Sequence, residues 1–445
     1  MHPTYQRQRG AIAVMVAVSM LVLIAAVGLV VDGGLAYMVK ARLNAAVDSA
    51  ALAAARAVPA GNNQAEQIAS AQAAAAQFFA ANISDGYLLS KPKLLSTSVV
   101  FDGGTAIIDV KAEAPMPVSL MRVLGFTSMT PAAAAQTIRK DLDMAFVVDT
   151  SSSLRSAGTG VKTAAKSFLN KFNVTQDRVS LIHFATGAEI DNAFKGTSRG
   201  FDRASMLRNI DGLSFDGPTA SPEGMWNARE QLNGIPLVNR SSLRVIVFFS
   251  DGLPNTFASY LTFKNGACNT AGSFNYVEGL FRLDDSARNS VTDPNCAIRN
   301  YLADYVSALP DWYNGHAASA KDTSRREFRV AGGTPRTVTS SLTRSNGTTL
   351  VTRAARNLAE AIAQKAREEG IFVFTLGMGS ELRDTDDVDG EIGENILKCM
   401  ANTPDSLSRC YKPAQPVGMY CYAATEADLT PCFSRLASAI LRISK

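Results

Sequence analysis

The sequence is poor in the side chains that serve as catalytic bases. Among 445 residues there are only three histidines, His2, His183 and His316. A serine or cysteine nucleophile needs a base beside it, and no motif places one of these histidines in that role. His183 lies in the strand-like VSLIHF and is predicted to be a satisfied core or edge residue. We therefore expect no enzyme, and in particular no metal-dependent hydrolase.

Nucleotide and nucleic-acid signatures are also missing. The segment TLGMGS, residues 375–380, has glycines after a predicted strand but neither a GxxxxGK loop nor the full GxGxxG spacing. No run of Lys and Arg resembles a nucleic-acid footprint, although the net charge is +4. The acidic RDTDDVDGE, residues 383–391, lacks EF-hand spacing and its terminal glutamate, so an exposed acidic loop is predicted there.

Paired cysteines of the CxxC type are absent too, which argues against zinc. The six cysteines all fall in the second half of the chain, at positions Cys268, Cys296, Cys399, Cys410, Cys421 and Cys432. Disulfides explain them better, and disulfides favour an oxidising compartment. Six cysteines can pair in many ways, and the sequence does not choose among the pairings.

One long uncharged run is present near the N-terminus. Residues 11–31, AIAVMVAVSMLVLIAAVGLVV, are long enough as a helix to cross a bilayer core of about 30 Å. The alternative is a cleaved signal peptide, but this run exceeds the roughly 7 to 15 apolar residues typical of one, and no clear cleavage site follows. Basic residues flank the run almost evenly. The late cysteines favour a single span with the N-terminus in the cytoplasm and the bulk outside. Residues 1–34 are therefore predicted to form a cytoplasmic tail and the transmembrane helix.

Residues 35–140 read as a small membrane-proximal α+β region. Residues 35–58 place apolar and small side chains at helical spacing, and Asp32-Gly33-Gly34 is predicted to hinge this helix to the membrane helix. A second Ala-rich helix is expected from about Gln64 to Ala81. The apolar segments 94–101 and 105–110, separated by Asp102-Gly103-Gly104, predict a hairpin.

Residues 141–445 alternate short apolar runs with helical stretches. Runs such as RVIVFF and IFVFTL have no period of two, as expected for strands covered on both faces of a parallel sheet. The pattern predicts a doubly wound, mostly parallel α/β domain. A polar insertion at about 255–349 interrupts it, and we expect a functional insertion clamped by Cys268 and Cys296.

Polar clusters stand where the predicted strands end. Asp149, Ser151 and Ser153 follow the first strand, Asp251 follows RVIVFFS, and Thr219 precedes a helix. Ligands bind beyond the carboxyl ends of strands in such sheets. Carboxylate and hydroxyl oxygens without nitrogen or sulfur suit a hard cation such as Mg²⁺, with Mn²⁺ or Ca²⁺ as alternatives. The competing interpretation is that the serines cap the next helix and Asp251 caps a turn.

These five residues resemble the metal-ion-dependent adhesion site of von Willebrand factor type A domains. The motif is Asp149-x-Ser151-x-Ser153, then Thr219, then Asp251, and the likeness covers about residues 142–445. It implies that Ser151, Ser153 and Thr219 coordinate the ion directly or through water. It also implies that Asp149 and Asp251 stand in or beside the coordination shell, and that a protein partner's Glu or Asp fills the open position.

The N-terminal part resembles a second family, the TadG-like proteins of the Flp (tight adherence) pilus system. The likeness lies in residues 9–58, from RGAIAV to AAARAV, and in residues 116–139, MPVSLMRVLGFTSMTPAAAAQTIR. It implies a single-pass bacterial inner-membrane protein whose C-terminal domain is periplasmic or extracellular. Pilins usually carry glutamate five residues after the processing glycine, whereas Met15 follows Gly10 at that distance. A stably anchored assembly or adhesion factor is therefore expected. The alternative is a minor pilin-like or structural scaffold component in which the metal only stabilises the domain.

Overall fold

The protein is described by a computed structural model. It describes residues 9–58, 64–102, 105–241, 243–264, 266, 269–275, 279–281, 301–313 and 326–443. The chain divides into two compact units, Met1–Arg139 and Lys140–Lys445. The domain bounds given above stay a prediction.

The first unit is built on one long helix. Helix α1 spans Arg9–Ala57 without a break, so the predicted hinge at Asp32-Gly33-Gly34 is wrong. Each glycine weakens a helix by only about 1 kcal/mol relative to Ala, and long stretches of good helix formers on both sides outweigh that cost. A Cβ on Gly33 or Gly34 would meet nothing within 4 Å.

Helix α1 changes character along its length. Most of the apolar side chains of residues 12–31 are exposed, for example Val30 at 74%. Beyond them a stripe at helical spacing is buried, including Val39, Leu43, Ala46 and Ala50. This stripe packs in one core with side chains of the rest of the unit. Within the described residues, the first part of the helix is thus largely exposed and the second part belongs to the core of a folded unit.

The remaining elements of this unit complete a small α+β fold. They are α2 (Gln64–Asn82), β1 (Lys93–Asp102), β2 (Thr105–Glu113), β3 (Met116–Pro117), β4 (Ser128–Met129) and β5 (Ala132–Lys140). Strands β1, β2 and β5 form one sheet in that order. The predicted hairpin is confirmed, since β1 and β2 are antiparallel with Asp102 opposite Thr105. Gly103 and Gly104 of its turn lie outside the described residues.

The second unit contains a six-stranded sheet in the order β14-β13-β9-β6-β7-β8. Its strands are β6 (Leu142–Asp149), β7 (Arg178–Phe184), β8 (Ala188–Asn192), β9 (Leu243–Ser250), β13 (Phe372–Met378) and β14 (Tyr420–Ala423). Neighbouring strands are parallel except β7 and β8. The predicted mostly parallel α/β class is confirmed.

Helices cover both faces of this sheet. They are α3 (Gly158–Leu169), α4 (Arg203–Gly212), α5 (Ser221–Gly234), α7 (Gly347–Glu368), α8 (Gly393–Ala401) and α9 (Glu426–Ile443). In β6, Ala145 and Val147 face the core under α5 and α7. Phe146 and Val148 face the core under α3 and α9. Burial on both faces explains why these strands lack a period of two.

The segment predicted as an insertion has structure of its own. Its described elements are β10 (Phe257–Thr262), β11 (Asn269–Asn275), β12 (Gly279–Phe281) and the short helix α6 (Leu302–Tyr305). Strands β10 to β12 form an antiparallel sheet. Glu223 of α5 ties the segment to the domain, because its carboxylate accepts from Ala258 N at 2.8 Å and from the Tyr313 hydroxyl. The proposed clamp, Cys268 and Cys296, lies outside the described residues.

Two disulfides hold the C-terminal part of this unit. Cys399 pairs with Cys410, and Cys421 pairs with Cys432. The second bridge joins β14 to α9. The expectation of disulfides is thereby confirmed, and two of the pairings that the sequence left open are assigned.

Candidate metal site

The order in which the chain adds strands to the sheet reverses between β6 and β9. The chain leaves β6 and forms β7 on one side of it, whereas β9 pairs in parallel on the other side, with Val148 opposite Phe249. At such a switch point the two following loops separate and leave a crevice. Asp149 ends β6 and Asp251 follows β9, so the two carboxylates lie at this crevice.

Asp149 is fully buried, and both of its carboxylate oxygens accept hydrogen bonds. Its Oδ1 accepts from Ser151 N at 2.8 Å, and its Oδ2 accepts from Ser250 Oγ at 2.5 Å. The bond to Ser250 joins the ends of β6 and β9. Asp149 therefore fixes the loop that follows its own strand and the end of the neighbouring strand.

A chain of oxygen contacts runs outward from Asp149. Ser151 Oγ lies 3.2 Å from Ser153 Oγ, and Ser153 Oγ donates to Asp251 Oδ1 at 2.9 Å. Ser151 precedes the short 3₁₀ turn Ser152–Arg155 but makes no side-chain cap bond to it. The capping interpretation thus finds no support at Ser151, since this serine contacts the second serine of the motif instead.

Thr219 reaches the same place from a third loop. Its backbone N–H donates to Asn255 Oδ1 at 2.9 Å, which ties it to the chain after β9. Gly217 O accepts from Ser152 N at 2.9 Å, which ties the same loop to the serine motif. Gly217 has φ +90°, a left-handed conformation that favours glycine. The loop that carries Thr219 is therefore braced from both sides.

The Thr219 hydroxyl faces the crevice. The residue is 5% exposed, yet among the residues that the structure describes none makes a hydrogen bond with Oγ1. A Cβ built on Gly252 would lie 3.5 Å from that oxygen, at ordinary van der Waals contact, so Gly252 lies directly beside the hydroxyl. The oxygen borders the open cavity, where a cation can reach it.

A cavity of about 440 Å³ opens above these side chains and includes residues that sequence reasoning missed. Ser153, Thr219 and Asp251 line one part of it, and Glu381 and Asp384 line another. The missed pair follows β13, which is parallel to β9. The carboxyl end of β13 therefore lies at the same edge of the sheet as that of β9. The rule that ligands bind beyond the carboxyl ends of parallel strands could have pointed to Glu381 and Asp384.

The acidic segment 383–391 is only partly the exposed loop that was predicted. Asp384 and Asp387 are exposed. Asp386 and Asp389 instead bind Arg356 of α7, a side chain that is 1% exposed. A buried guanidinium needs paired carboxylates, and no sequence pattern indicates which arginine lies there.

Burial raises the pKa of both site carboxylates. Withdrawal from water raises the pKa of Asp149 to about 6, even though bonds from Ser250 and Ser151 lower it. Burial, followed by the Asp149 charge, raises the pKa of Asp251 to about 8. Two acids this close resist ionising together unless a cation lies between them. Hydroxyl and carboxylate oxygens are ligands of a hard divalent ion, so the residues present fit one.

Stability and metal binding should depend on pH in opposite ways. In the metal-free chain the folded state holds extra protons at these acids between pH about 4 and 8, so raising the pH through that window lowers its stability. A divalent ion needs the ionised acids, and its affinity should rise about tenfold per pH unit below about 8 for each proton released. Thermal unfolding with and without MgCl₂ should show a larger metal-induced rise in Tm at pH 8 than at pH 5.5.

The Asp251→Ala variant is the control for this titration. It lacks the acid with the more strongly raised pKa, so its response to MgCl₂ should be small and flat with pH. A metal-induced rise in Tm of equal size at both pH values in the wild-type chain would contradict the assignment of these acids.

Two protein families match the chain. Residues 144–253 match the von Willebrand factor type A domain, the class that the sheet and the site resemble. Residues 10–57 match the Flp pilus-assembly TadE/G-like family. The chain therefore carries a TadE/G-like pilus-assembly region followed by a von Willebrand A domain, as the sequence motifs predicted. The comparison with curated proteins found no match.

Solved structures resemble the chain at low sequence identity. The pilus adhesin SpaC from Lactobacillus rhamnosus GG has a TM-score of 0.39 and 15% identity over 79% of this chain and 34% of SpaC. The vWF domain of the type V pili tip protein Mfa5 from Porphyromonas gingivalis has a TM-score of 0.37 and 15% identity, over 69% of this chain and 98% of the Mfa5 domain. A von Willebrand factor type A protein from Catenulispora acidiphila has a TM-score of 0.35 and 12% identity, over 75% of this chain and 46% of that protein. The chain thus spans about a third of the first and about half of the third.

Proposed function

We propose that the chain is a membrane-anchored adhesion factor of Flp pilus assembly or surface attachment. It binds a protein partner through a divalent cation held by Asp149, Ser151, Ser153, Thr219 and Asp251. The observation that carries the proposal is the meeting of Ser153, Thr219 and Asp251, from three separate loops, around one cavity. Mg²⁺ is the proposed ion, with Mn²⁺ and Ca²⁺ as alternatives that the same oxygen donors accept.

The partner supplies an acidic residue. In water, opposite unit charges 4 Å apart attract by only about 1 kcal/mol, but the attraction grows several-fold in a partly dry cleft. A carboxylate entering the cavity beside a divalent ion would gain that difference. The site is proposed to bind and not to turn over substrate, because no general base is assigned to it.

The anchor is helix α1. The segment from Ile12 is long and apolar enough to cross a membrane, and only 6% of its most apolar window is buried. The proposed topology is a single span in the bacterial inner membrane, with the N-terminus in the cytoplasm. The two disulfides within the described part of the chain lie in the second unit, which agrees with an oxidising compartment for that unit.

A pull-down from envelope extract tests the partner mechanism. The full chain should capture its partner in the presence of Mg²⁺. The amount captured should fall at least about tenfold with EDTA or with Asp149→Ala, because both remove an ion that the contact requires. The matched control is Asp387→Ala, an exposed aspartate that should leave capture unchanged. Capture that ignores both EDTA and Asp149→Ala would disprove the metal bridge.

A minor pilin-like scaffold remains the second candidate, and the unbroken helix α1 favours it. A continuous helix with an exposed apolar half could pack against other subunits in a fibre. In that case the chain should occur in sheared pilus fractions with a new N-terminus at or just after Gly10. Intact full-length chain found only in the membrane fraction would contradict the scaffold.

A further inference from the structure

Residues 119–126, SLMRVLGF, form a loop held against the lower part of α1. Asp32 Oδ1 accepts from Ser119 N at 3.0 Å, and Oδ2 accepts from Leu120 N at 3.0 Å and Met121 N at 2.8 Å. The Asp32 side chain is buried beneath the loop at 1% exposure. One turn earlier, a Cβ on Gly28 would lie 3.0 Å from Leu120 Cβ. The loop is therefore locked to the helix at Gly28 and Asp32.

The outer side of this loop exposes three large apolar side chains that the rest of the described chain does not cover. Val123, Leu124 and Phe126 are 49%, 50% and 53% exposed. They follow each other through a 3₁₀ turn, Met121–Leu124, and Gly125 at φ +88°. Adjacent large apolar side chains left in the open mark an interaction surface rather than ordinary surface.

The position of the loop along α1 indicates what covers it. Gly28 and Asp32 bracket the end of the apolar run 11–31. At 1.5 Å per residue the loop thus contacts roughly the last turn of the segment that would lie in hydrocarbon. Leu29 and Val30 on the helix are 62% and 74% exposed at the same level. A bilayer that receives the helix up to Asp32 must meet the loop as well.

The polar groups of the loop suit that environment. Backbone N–H groups near hydrocarbon need internal partners, and Asp32 supplies them for three consecutive residues. Arg122 is exposed within the loop and can extend to lipid phosphates. Tyr37, 74% exposed and five residues above Asp32, adds an aromatic side chain of the kind found at headgroup level.

We propose that residues 119–126 insert Val123, Leu124 and Phe126 into the outer leaflet of the bilayer and so fix the depth of α1. This inference rests on the proposed membrane anchor but not on the metal site. A single apolar helix can slide and tilt in a bilayer. A loop locked to its last apolar turn gives the folded unit a second contact with the membrane and holds it at a set height.

Tryptophan quenching in vesicles tests the loop. The full chain is reconstituted in phosphatidylethanolamine and phosphatidylglycerol vesicles whose acyl chains carry bromine, and wild-type emission is subtracted to remove Trp226 and Trp312. The extra emission of Phe126→Trp should be blue-shifted and quenched at least about twofold more than that of Phe78→Trp, since indole rings seat at the membrane interface.

Phe78 is a matched control in the same unit. Its side chain is 46% exposed, a fraction similar to the 53% of Phe126. Asn82, one turn further along α2, donates to Ser49 Oγ at 2.9 Å. Ser49 lies about 25 Å beyond Asp32 at 1.5 Å per residue, so Phe78 should stay in water. Adding Asp32→Ala to Phe126→Trp should release the loop and lower the quenching toward the Phe78→Trp level.

The outcomes separate the loop from the anchor. If the wild-type chain fails to float with vesicles after an alkaline wash, the anchor and the loop are both wrong. If it floats but Phe126→Trp is quenched no more than Phe78→Trp, the loop alone is wrong. Blue-shifted emission that brominated lipid does not quench would show another protein surface over the loop and also overturn the lipid assignment.

Discussion

Replacing Asp251 by Ala should lower the affinity for Mg²⁺ or Mn²⁺ by about 100-fold or more. Even the outer residues that orient metal ligands contribute about 10- to 100-fold in affinity, and Asp251 is proposed to lie in or beside the shell itself. Its Oδ1 accepts from Ser153 Oγ at 2.9 Å, and it lines the cavity with Thr219. Isothermal titration of the detergent-solubilised chain with MnCl₂ measures the loss.

The control for this prediction is Asp384→Ala. Asp384 is an exposed carboxylate that lines the same cavity, so its removal takes one carboxylate from the cavity without removing a proposed ligand. We expect its affinity to fall by less than about threefold, because exposed charges are well screened at physiological ionic strength. Equal losses in the two variants would mean that the cavity attracts cations only through its overall charge.

The fold should survive Asp251→Ala. Asp251 is pushed toward its neutral form by burial and by Asp149 in the metal-free chain, so losing it removes a group that is unfavourably placed when charged. The metal-free variant should therefore unfold at a temperature equal to or above that of the metal-free wild type at pH 8. A variant that no longer folds would leave the affinity loss unexplained by ligation, and circular dichroism checks this directly.

The parts of the site that could be predicted are those carried by strand ends. Asp149 and Asp251 follow apolar runs without a period of two, and parallel strands bring their carboxyl ends to one edge. Thr219 could be placed because it precedes a helix. Glu381 and Asp384 were missed, since the run before them ends in glycines and the acidic stretch has no fixed spacing. Which of the acids in 383–391 bind Arg356 depends on packing that no local pattern encodes.

The prediction of a hinge in α1 was wrong for a related reason. Asp32-Gly33-Gly34 contains a turn-forming sequence, but the buried stripe of the helix continues through Gly28, Asp32 and Ala36. Residues 119–126 cover that stripe from almost ninety positions away in sequence. Tertiary contacts therefore overrode a local signal. The disulfide pairs escaped prediction similarly, because each pairing depends on how α8, β14 and α9 lie together.

The buried Asp143 is expected to be among the largest single contributors to the stability of the second unit. It is fully buried near the start of β6. Its Oδ1 accepts from Arg178 Nη1 at 3.2 Å and from Arg199 Nη1 at 3.0 Å, and its Oδ2 accepts from Ser241 N at 2.7 Å. Asp143→Ala leaves Arg178, itself 1% exposed, without its charge partner. Removing one member of a buried pair costs about 3–5 kcal/mol.

Thermal unfolding of the solubilised chain measures that cost. For a unit of this size each kcal/mol shifts Tm by about 2–4 °C, so Asp143→Ala should lower Tm by about 10 °C. The matched control is Asp211→Ala, which breaks a surface pair with Lys166 (2.6 Å) in which the aspartate is 59% exposed. Exposed pairs contribute about 0–1 kcal/mol, and Tm should change by no more than a few degrees.

Measuring metal affinity distinguishes the loss of stability in Asp143→Ala from damage to the metal site. Asp143 and Asp149 lie at opposite ends of β6, about 20 Å apart at the rise of a strand. Well below its Tm, Asp143→Ala should therefore bind Mn²⁺ as the wild type does, whereas Asp251→Ala should not. If Asp143→Ala unfolds like Asp211→Ala, the arginines find other partners when the carboxylate is lost, and the buried cluster is not what secures this end of the sheet. If it instead loses metal affinity while still folded, the two ends of β6 are coupled, and the site depends on the whole strand rather than on the loops that follow it.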